Sequence, residues 1–110
     1  MARGVARGDV RLYRFAPLDK TRPVLVLTRD SAIGFLTTVT VAPITSTLRG
    51  VPSEAVLNEE DGMKTRCAVN LHHVVTVSQG RLGKRVAHLG SSRMHRICAA
   101  LRFSLGCDEE

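Results

Sequence analysis

Two residues stand where they can act on a phosphate. Arg22 immediately precedes the apolar run Pro23-Val24-Leu25-Val26-Leu27, and Thr45 immediately follows Val41-Ala42-Pro43-Ile44. If the two runs pair in one sheet, a guanidinium and a hydroxyl converge at its edge. The guanidinium forks onto two oxygens, and the hydroxyl adds a neutral donor. A plainer reading competes: an exposed arginine at a strand end and a threonine in a turn. Spacing alone favours the plainer one, because short motif matches carry a high false-positive risk. His72 and His73 form a second candidate pair. Imidazole moves protons near neutral pH, but neighbours on a strand face opposite ways, so at most one of the two points at a given site. A surface histidine on a strand is an equal alternative. None of His72, His73, His88 and His95 has a second ligand at useful spacing, so neither a metal site nor a cofactor is expected.

The elements that must position these groups read as mainly β. Residues 1–6 show no pattern and are expected to form a flexible arm; the single domain spans 1–110. Val10 and Leu12 alternate with Arg11 and Tyr13, which predicts a half-buried strand over 9–15. Residues 16–21 carry Pro17 and Asp19 and read as a loop. Pro23 opens the second strand, where a missing N–H is tolerated. Its continuous apolar run, 24–27, is that of a strand covered on both faces. A loop is expected over 29–35, a Thr- and Val-rich strand over 37–44, and an exposed turn with Arg49 over 45–52. A short strand follows over 53–57, then an acidic solvated loop over 58–64. The longest β-like run is 67–77, with His72 and His73 inside it. A helical turn over 78–82 and a last strand over 84–89 precede the one convincing helix. Ser91 or Ser92 can cap that helix, Met94, Ile97, Cys98, Leu101 and Leu105 share one face, and Gly106 closes it. The sum is five to seven short strands curled into a small barrel, with one amphipathic helix against it.

The 110 residues suffice for one core but not two. No apolar run reaches the roughly 18 residues that a membrane helix requires, and no export signal opens the chain. Three widely spaced cysteines, Cys67, Cys98 and Cys107, fit neither a disulfide framework nor a metal pattern; reduced thiols in a cytoplasm are expected. The formal charge is +6, and thirteen of the sixteen cationic residues are arginine. Such a surface suits phosphate-bearing partners, although a solvated, arginine-rich surface is the even alternative. No Trp, one Tyr and three Phe argue against a broad aromatic stacking platform.

Taken together, Arg22-Pro23-Val24-Leu25-Val26-Leu27-Thr28-Arg29-Asp30, Val41-Ala42-Pro43-Ile44-Thr45-Ser46-Thr47, the opening Arg7-Gly8-Asp9-Val10, Arg81-Leu82-Gly83 and the closing Ala99-Ala100-Leu101 with Leu105-Gly106 resemble the PemK/MazF family of toxin endoribonucleases. The resemblance covers nearly the whole chain. It implies an SH3-like β-barrel with a C-terminal amphipathic helix, a homodimer, and a cognate antitoxin whose acidic tail competes with RNA. It further implies cleavage of single-stranded RNA without metal, by attack of the 2′-hydroxyl on the adjacent phosphate. The products are a 2′,3′-cyclic phosphate and a 5′-hydroxyl, and growth stops as translation fails. Arg22 and Thr45 match the family's catalytic positions. Lys20, Arg29 and Arg49, with Ser46, Thr47, His72 and His73, are the candidate RNA contacts. Many relatives carry Gly-Ser-Glu-Gln in the loop where this chain has only residues 16–21. Asp19 stands near the place of that glutamate and reads first as a turn residue, so the general base stays open. The alternative function on the same barrel is a toxin that binds DNA gyrase without catalysis; a basic, non-catalytic RNA-binding module is a third reading.

Overall fold

A computed structural model describes residues 4–107. Seven strands form one curled antiparallel sheet, a half-barrel: β1 Asp9–Tyr13, β2 Arg22–Val26, β3 Thr38–Thr45, β4 Glu54–Leu57, β5 Cys67–Asn70, β6 Val75–Ser78 and β7 Arg85–His88. The order is β4-β5-β3-β2-β1-β7, with β6 also on β3. β3 is the hub. Along one edge it pairs with β2; along the other it pairs first with β6 and then, at its far end, with β5. A short helix α1 (Asp30–Ile33) joins β2 to β3, and the long helix α2 (Ser91–Leu105) ends the chain.

Because a strand alternates its faces, the central strands supply two cores at once. Leu25, Ala42, Ile44 and Val69 meet Met94, Ile97 and Ala100 of α2 on the outer face. Val24, Val26, Val39, Val41 and Val77 meet Val5, Tyr13 and Ile33 on the inner face of the curl. This is why residues 24–27 are apolar without a break: Val24, Leu25 and Val26 are all fully buried.

Polar clamps close the sheet where apolar packing stops. Asp9 is fully buried, and its carboxylate accepts from Ala6 N–H (3.1 Å), Arg11 (3.2 Å) and His88 Nδ1 (2.9 Å). It thus ties β1 to β7 and to the chain start. The Arg7 guanidinium donates to Leu27 O and to Cys98 Sγ, so it bridges the end of β2 and α2. Buried Gln79 donates from Nε2 to Ile33 O and Leu36 O, which fixes α1 against the 3-10 turn Gln79–Arg81.

Several expectations need correction. Residues 1–3 of the expected arm lie outside the described residues, but Val5 is buried in the inner core and anchors the stretch behind them. Residues 30–33 are a turn of helix where a loop was expected. The run 67–77 is two strands broken by a turn at 71–74, so His72 and His73 are turn residues. They pair with each other, ring centroids 4.5 Å apart and edge to face. The acidic segment holds a capped 3-10 turn, Glu59–Asp61, whose Asp61 accepts from Arg93 at 2.8 Å. Helix α2 begins after Gly90, without a side-chain cap from Ser91 or Ser92. Its buried stripe is Met94, Ile97 and Ala100, whereas Leu105 is exposed. Gly106 does close it, in the left-handed region at φ 71, with its N–H on Phe103 O and that of Cys107 on Arg102 O.

Two predictions follow from this packing. Gly8 adopts φ +94, and a Cβ there would lie 2.8 Å from Leu89 O. Gly8→Ala is therefore expected to lower stability by roughly 1–3 kcal/mol, read as a fall in the urea midpoint; an unchanged midpoint would refute the close-approach argument. Burial, and secondarily the Asp61 carboxylate, pushes the Cys67 thiol up. Below the ordinary thiol value near pH ~8.5 both folded and unfolded states carry the proton. Above it the unfolded chain ionises first, so stability falls as pH rises further. Denaturation curves between neutral and alkaline pH should show this decline shrinking in Cys67→Ala; identical slopes in both proteins would contradict it.

Candidate active site

The register of the sheet builds the site. β2 and β3 pair Val24 with Pro43, Leu25 with Ala42 and Val26 with Val41. Continued outward by two residues, that register sets Arg22 across from Thr45. On its other side Thr45 pairs with Ala68 of β5, which pairs with Val56 of β4. Arg22 itself pairs with Tyr13 of β1. Tyr13, Arg22, Thr45, Ala68 and Val56 thus form one row across five strands. Directly opposed residues share a face with Cβ atoms about 5 Å apart, so this continued register places Arg22 and Thr45 on one face.

Arg22 is exposed, and no hydrogen bond or ion pair engages its guanidinium among the described residues. Thr45 is half-buried, and its Oγ1 accepts the Thr47 N–H at 3.1 Å. This turn holds the oxygen in place and leaves its O–H to donate outward. An exposed, permanently charged guanidinium on the same face as an oriented hydroxyl has the chemistry to hold an anion: the charge can fork onto two phosphate oxygens while the hydroxyl takes a third contact.

The surrounding candidates divide into two groups. Lys20 lies two residues before Arg22 in the hairpin loop 14–21, and Ser46 and Thr47 follow Thr45; all three are exposed. Arg49 joins them through Glu54, whose carboxylate accepts from Arg49 N–H (3.0 Å) and Gly50 N–H (3.0 Å) and so folds the loop 46–53 against the start of β4. Asp19 stays a turn residue, its N–H on Ala16 O. Arg29, by contrast, stands just before α1, beyond the opposite end of β2 from Arg22. His72 and His73 stand in the turn just past the end of β5. His72 Nδ1 is 2.7 Å from Ser53 Oγ. The structure therefore sets Arg29 at the far end of β2 from the pair, and His72 and His73 in the turn beside Ser53.

Sequence reasoning missed Glu54 as the clamp of the Arg49 loop, and it missed Asn70, which shares the face of Thr45 one strand over. The legible signal for Asn70 was a single polar residue within Cys67-Ala68-Val69-Asn70-Leu71. Among the described residues no group of three His, Cys, Asp or Glu side chains is placed to hold a metal ion, and no helix is long and apolar enough to cross a membrane. A cavity of about 310 Å³ at the start of α2, lined by Arg7, His88 and His95 among others, lies away from the Arg22–Thr45 face.

Comparison with known proteins identifies relatives over this whole arrangement. The family described as PemK-like, MazF-like toxin of type II toxin–antitoxin system matches residues 6–105. The probable endoribonuclease MazF5 of Mycobacterium tuberculosis is 44% identical over 103 residues, covering 93% of this chain and 94% of the relative. The endoribonuclease MazF3 of the same organism is 36% identical over 99 residues, 90% and 96% of the two chains. Among solved structures, the M. tuberculosis toxin MazF-mt6 superposes with a TM-score of 0.80 at 32% identity, covering 89% of this chain and 96% of that one. A mycobacterial endoribonuclease in complex with its cognate antitoxin reaches a TM-score of 0.84 over 94% and 96%; at 21% identity it speaks for the fold.

The Glu54 clamp is testable by itself. Glu54→Ala should speed tryptic cleavage after Arg49 about tenfold, the factor given by roughly 1.4 kcal/mol of lost local ordering. Glu54→Gln, which keeps one acceptor oxygen, should fall between. Equal nicking rates in all three proteins would show that the loop is ordered by something else.

Proposed function

This chain belongs to the PemK-like, MazF-like family of type II toxins, and from that premise we propose that it is a toxin endoribonuclease that cuts single-stranded RNA at the Arg22–Thr45 pair. The reading is supported by the exposed guanidinium of Arg22, which the β2–β3 register, continued by two residues, puts on the same face as the oriented hydroxyl of Thr45. The reaction is transesterification and needs no metal. The 2′-oxygen attacks the adjacent phosphorus as its proton leaves, the bond to the 5′-oxygen breaks, and that oxygen takes up a proton. A 2′,3′-cyclic phosphate and a 5′-hydroxyl result.

Arg22 stays protonated throughout. Its part is to stabilise the charge that builds on the non-bridging oxygens, which a preorganised donor does without reorganisation at the moment of reaction. Thr45 donates its O–H to one of those oxygens. Lys20, Ser46, Thr47 and Arg49 then hold the RNA backbone on either side of the cut. The partner of this chain is a cognate antitoxin, as in the mycobacterial endoribonuclease complex, and the working form is a homodimer acting in the cytoplasm.

The test is incubation of purified protein with mixed-sequence RNA in EDTA, beside Arg22→Ala and Thr45→Ala. Wild type should release fragments with cyclic-phosphate ends, and either alanine should lower the rate about 10²–10³-fold, the usual loss of one transition-state donor. Undiminished cutting by Arg22→Ala would move the site elsewhere. Growth arrest on expression with no cleavage by any form would turn the reading to a gyrase-binding toxin.

A further inference from the structure

Behind the Arg22–Thr45 row lies a second one. Asn70 of β5 pairs with Glu54 of β4, and the β3–β5 register of Ile44 with Val69, continued by one residue, sets Asn70 across from Pro43, which pairs with Val24 of β2. The second row is Val24, Pro43, Asn70, Glu54. Asn70 is two positions along the adjacent strand from the partner of Thr45, so it is the diagonal neighbour of Thr45 on the same face, about 7–8 Å away.

The Asn70 carboxamide oxygen is sealed from solvent with no hydrogen-bond partner among the described residues. Native structures rarely leave a buried acceptor in this state, and each case calls for a reason. The neighbours explain why no partner is at hand. Pro43 has no N–H, Ala68 and Val56 have no polar side-chain atom, and the Glu54 carboxylate only accepts and is already turned to the backbone of Arg49 and Gly50. The amide nitrogen makes no hydrogen bond among the described residues either and is not part of the sealed, unpartnered set. Asn70 therefore holds a donor and an acceptor, both unspent, and a half-turn of its roughly two-fold terminal torsion exchanges the sealed oxygen for the nitrogen. Such an amide offers either a donor or an acceptor to the edge of a nucleobase, whose ring nitrogens and exocyclic groups supply the complement.

We propose that the Asn70 carboxamide is a specificity-determining contact, reading the edge of an RNA base next to the phosphate held by Arg22 and Thr45. The inference rests on the endoribonuclease reading. The backbone of Arg49 is held beside Glu54, the residue paired with Asn70. The base-reading group is thus separate from the pair that handles the phosphate, and altering it should change which sequences are cut more than how fast the best one is cut.

The experiment is cut-site profiling on an RNA pool with randomised bases around the cleavage point, using wild type, Asn70→Asp and Asn70→Ser. Asn70→Asp keeps the shape but replaces the donor with a second acceptor; Asn70→Ser is the smaller variant that decides the matter if a carboxylate is not tolerated in the fold. The expected result is an at least tenfold change in relative kcat/KM among the four bases at one position beside the cut, with preferences elsewhere unchanged. Identical preferences in a variant that cuts as well as wild type would overturn the proposal. So would an equal loss on every sequence, or a changed oligomeric state with unchanged preferences, which would assign Asn70 to contact with a second copy. Wild type that cuts no RNA would instead bring down the endoribonuclease reading and this inference with it.

Discussion

The pairing register of β3 is the constraint on which the rest of the molecule depends. This one strand of eight residues is hydrogen-bonded to β2 along one edge and to β6 and β5 in succession along the other. Its alternate residues feed both cores: Val39 and Val41 the inner, Ala42 and Ile44 the outer. A slip of one residue would move every one of these side chains to the wrong face. The same register that satisfies both cores sets Thr45 opposite Arg22 and beside Ala68. Packing and site are thus not separate achievements, because the strand cannot keep its valines buried without also aligning the two polar ends.

What the core cannot hold, polar clamps do. Asp9 secures β1 to β7, Arg7 joins the end of β2 to α2, Gln79 anchors α1, and Arg93 ties α2 to the turn at Asp61. These clamps bear on the meaning of the arginine-rich composition. Arg7, Arg11, Arg85 and Arg93 are engaged within the fold, on carbonyls, a thiol and carboxylates. The positive charge is therefore partly architectural. Cations on the Arg22–Thr45 side, Lys20, Arg22 and Arg49 among them, make a local argument for a phosphate ligand that is sharper than the net charge.

Elements with strong local patterning were legible in order and kind. The apolar run after Arg22, the Thr- and Val-rich run before Thr45, and the terminal helix with Gly106 behind it all appear within a residue or two of their expected bounds. The failures have specific physical causes. The run from Cys67 to Val77 looks like one strand because its residues all favour β structure, yet β3 pairs with it in two pieces, and the chain must turn at 71–74 to change its place along β3. Helix α2 follows the stripe of Met94 and Ile97 but takes Ala100 inward and leaves Leu105 exposed. The acidic stretch 58–64 looked solvated, and only the approach of Arg93 from a distant helix gives Asp61 a partner.

The sequence by itself determined most of the strand segments, that Arg22 and Thr45 stand at strand ends, that one amphipathic helix closes the chain, and, through five ordered motifs, the family. Each of these rests on local periodicity or on residues close together in the chain. Tertiary structure alone decided who shares a face with whom. It put Asn70 and Glu54 in the row behind Thr45, drew Arg49 in through a backbone clamp, turned the chain at His72 and His73, and left Arg29 beyond the opposite end of β2 from Arg22. Spacing along a strand is local, but register across strands is set by the burial of side chains tens of residues apart, and no window of the sequence contains it.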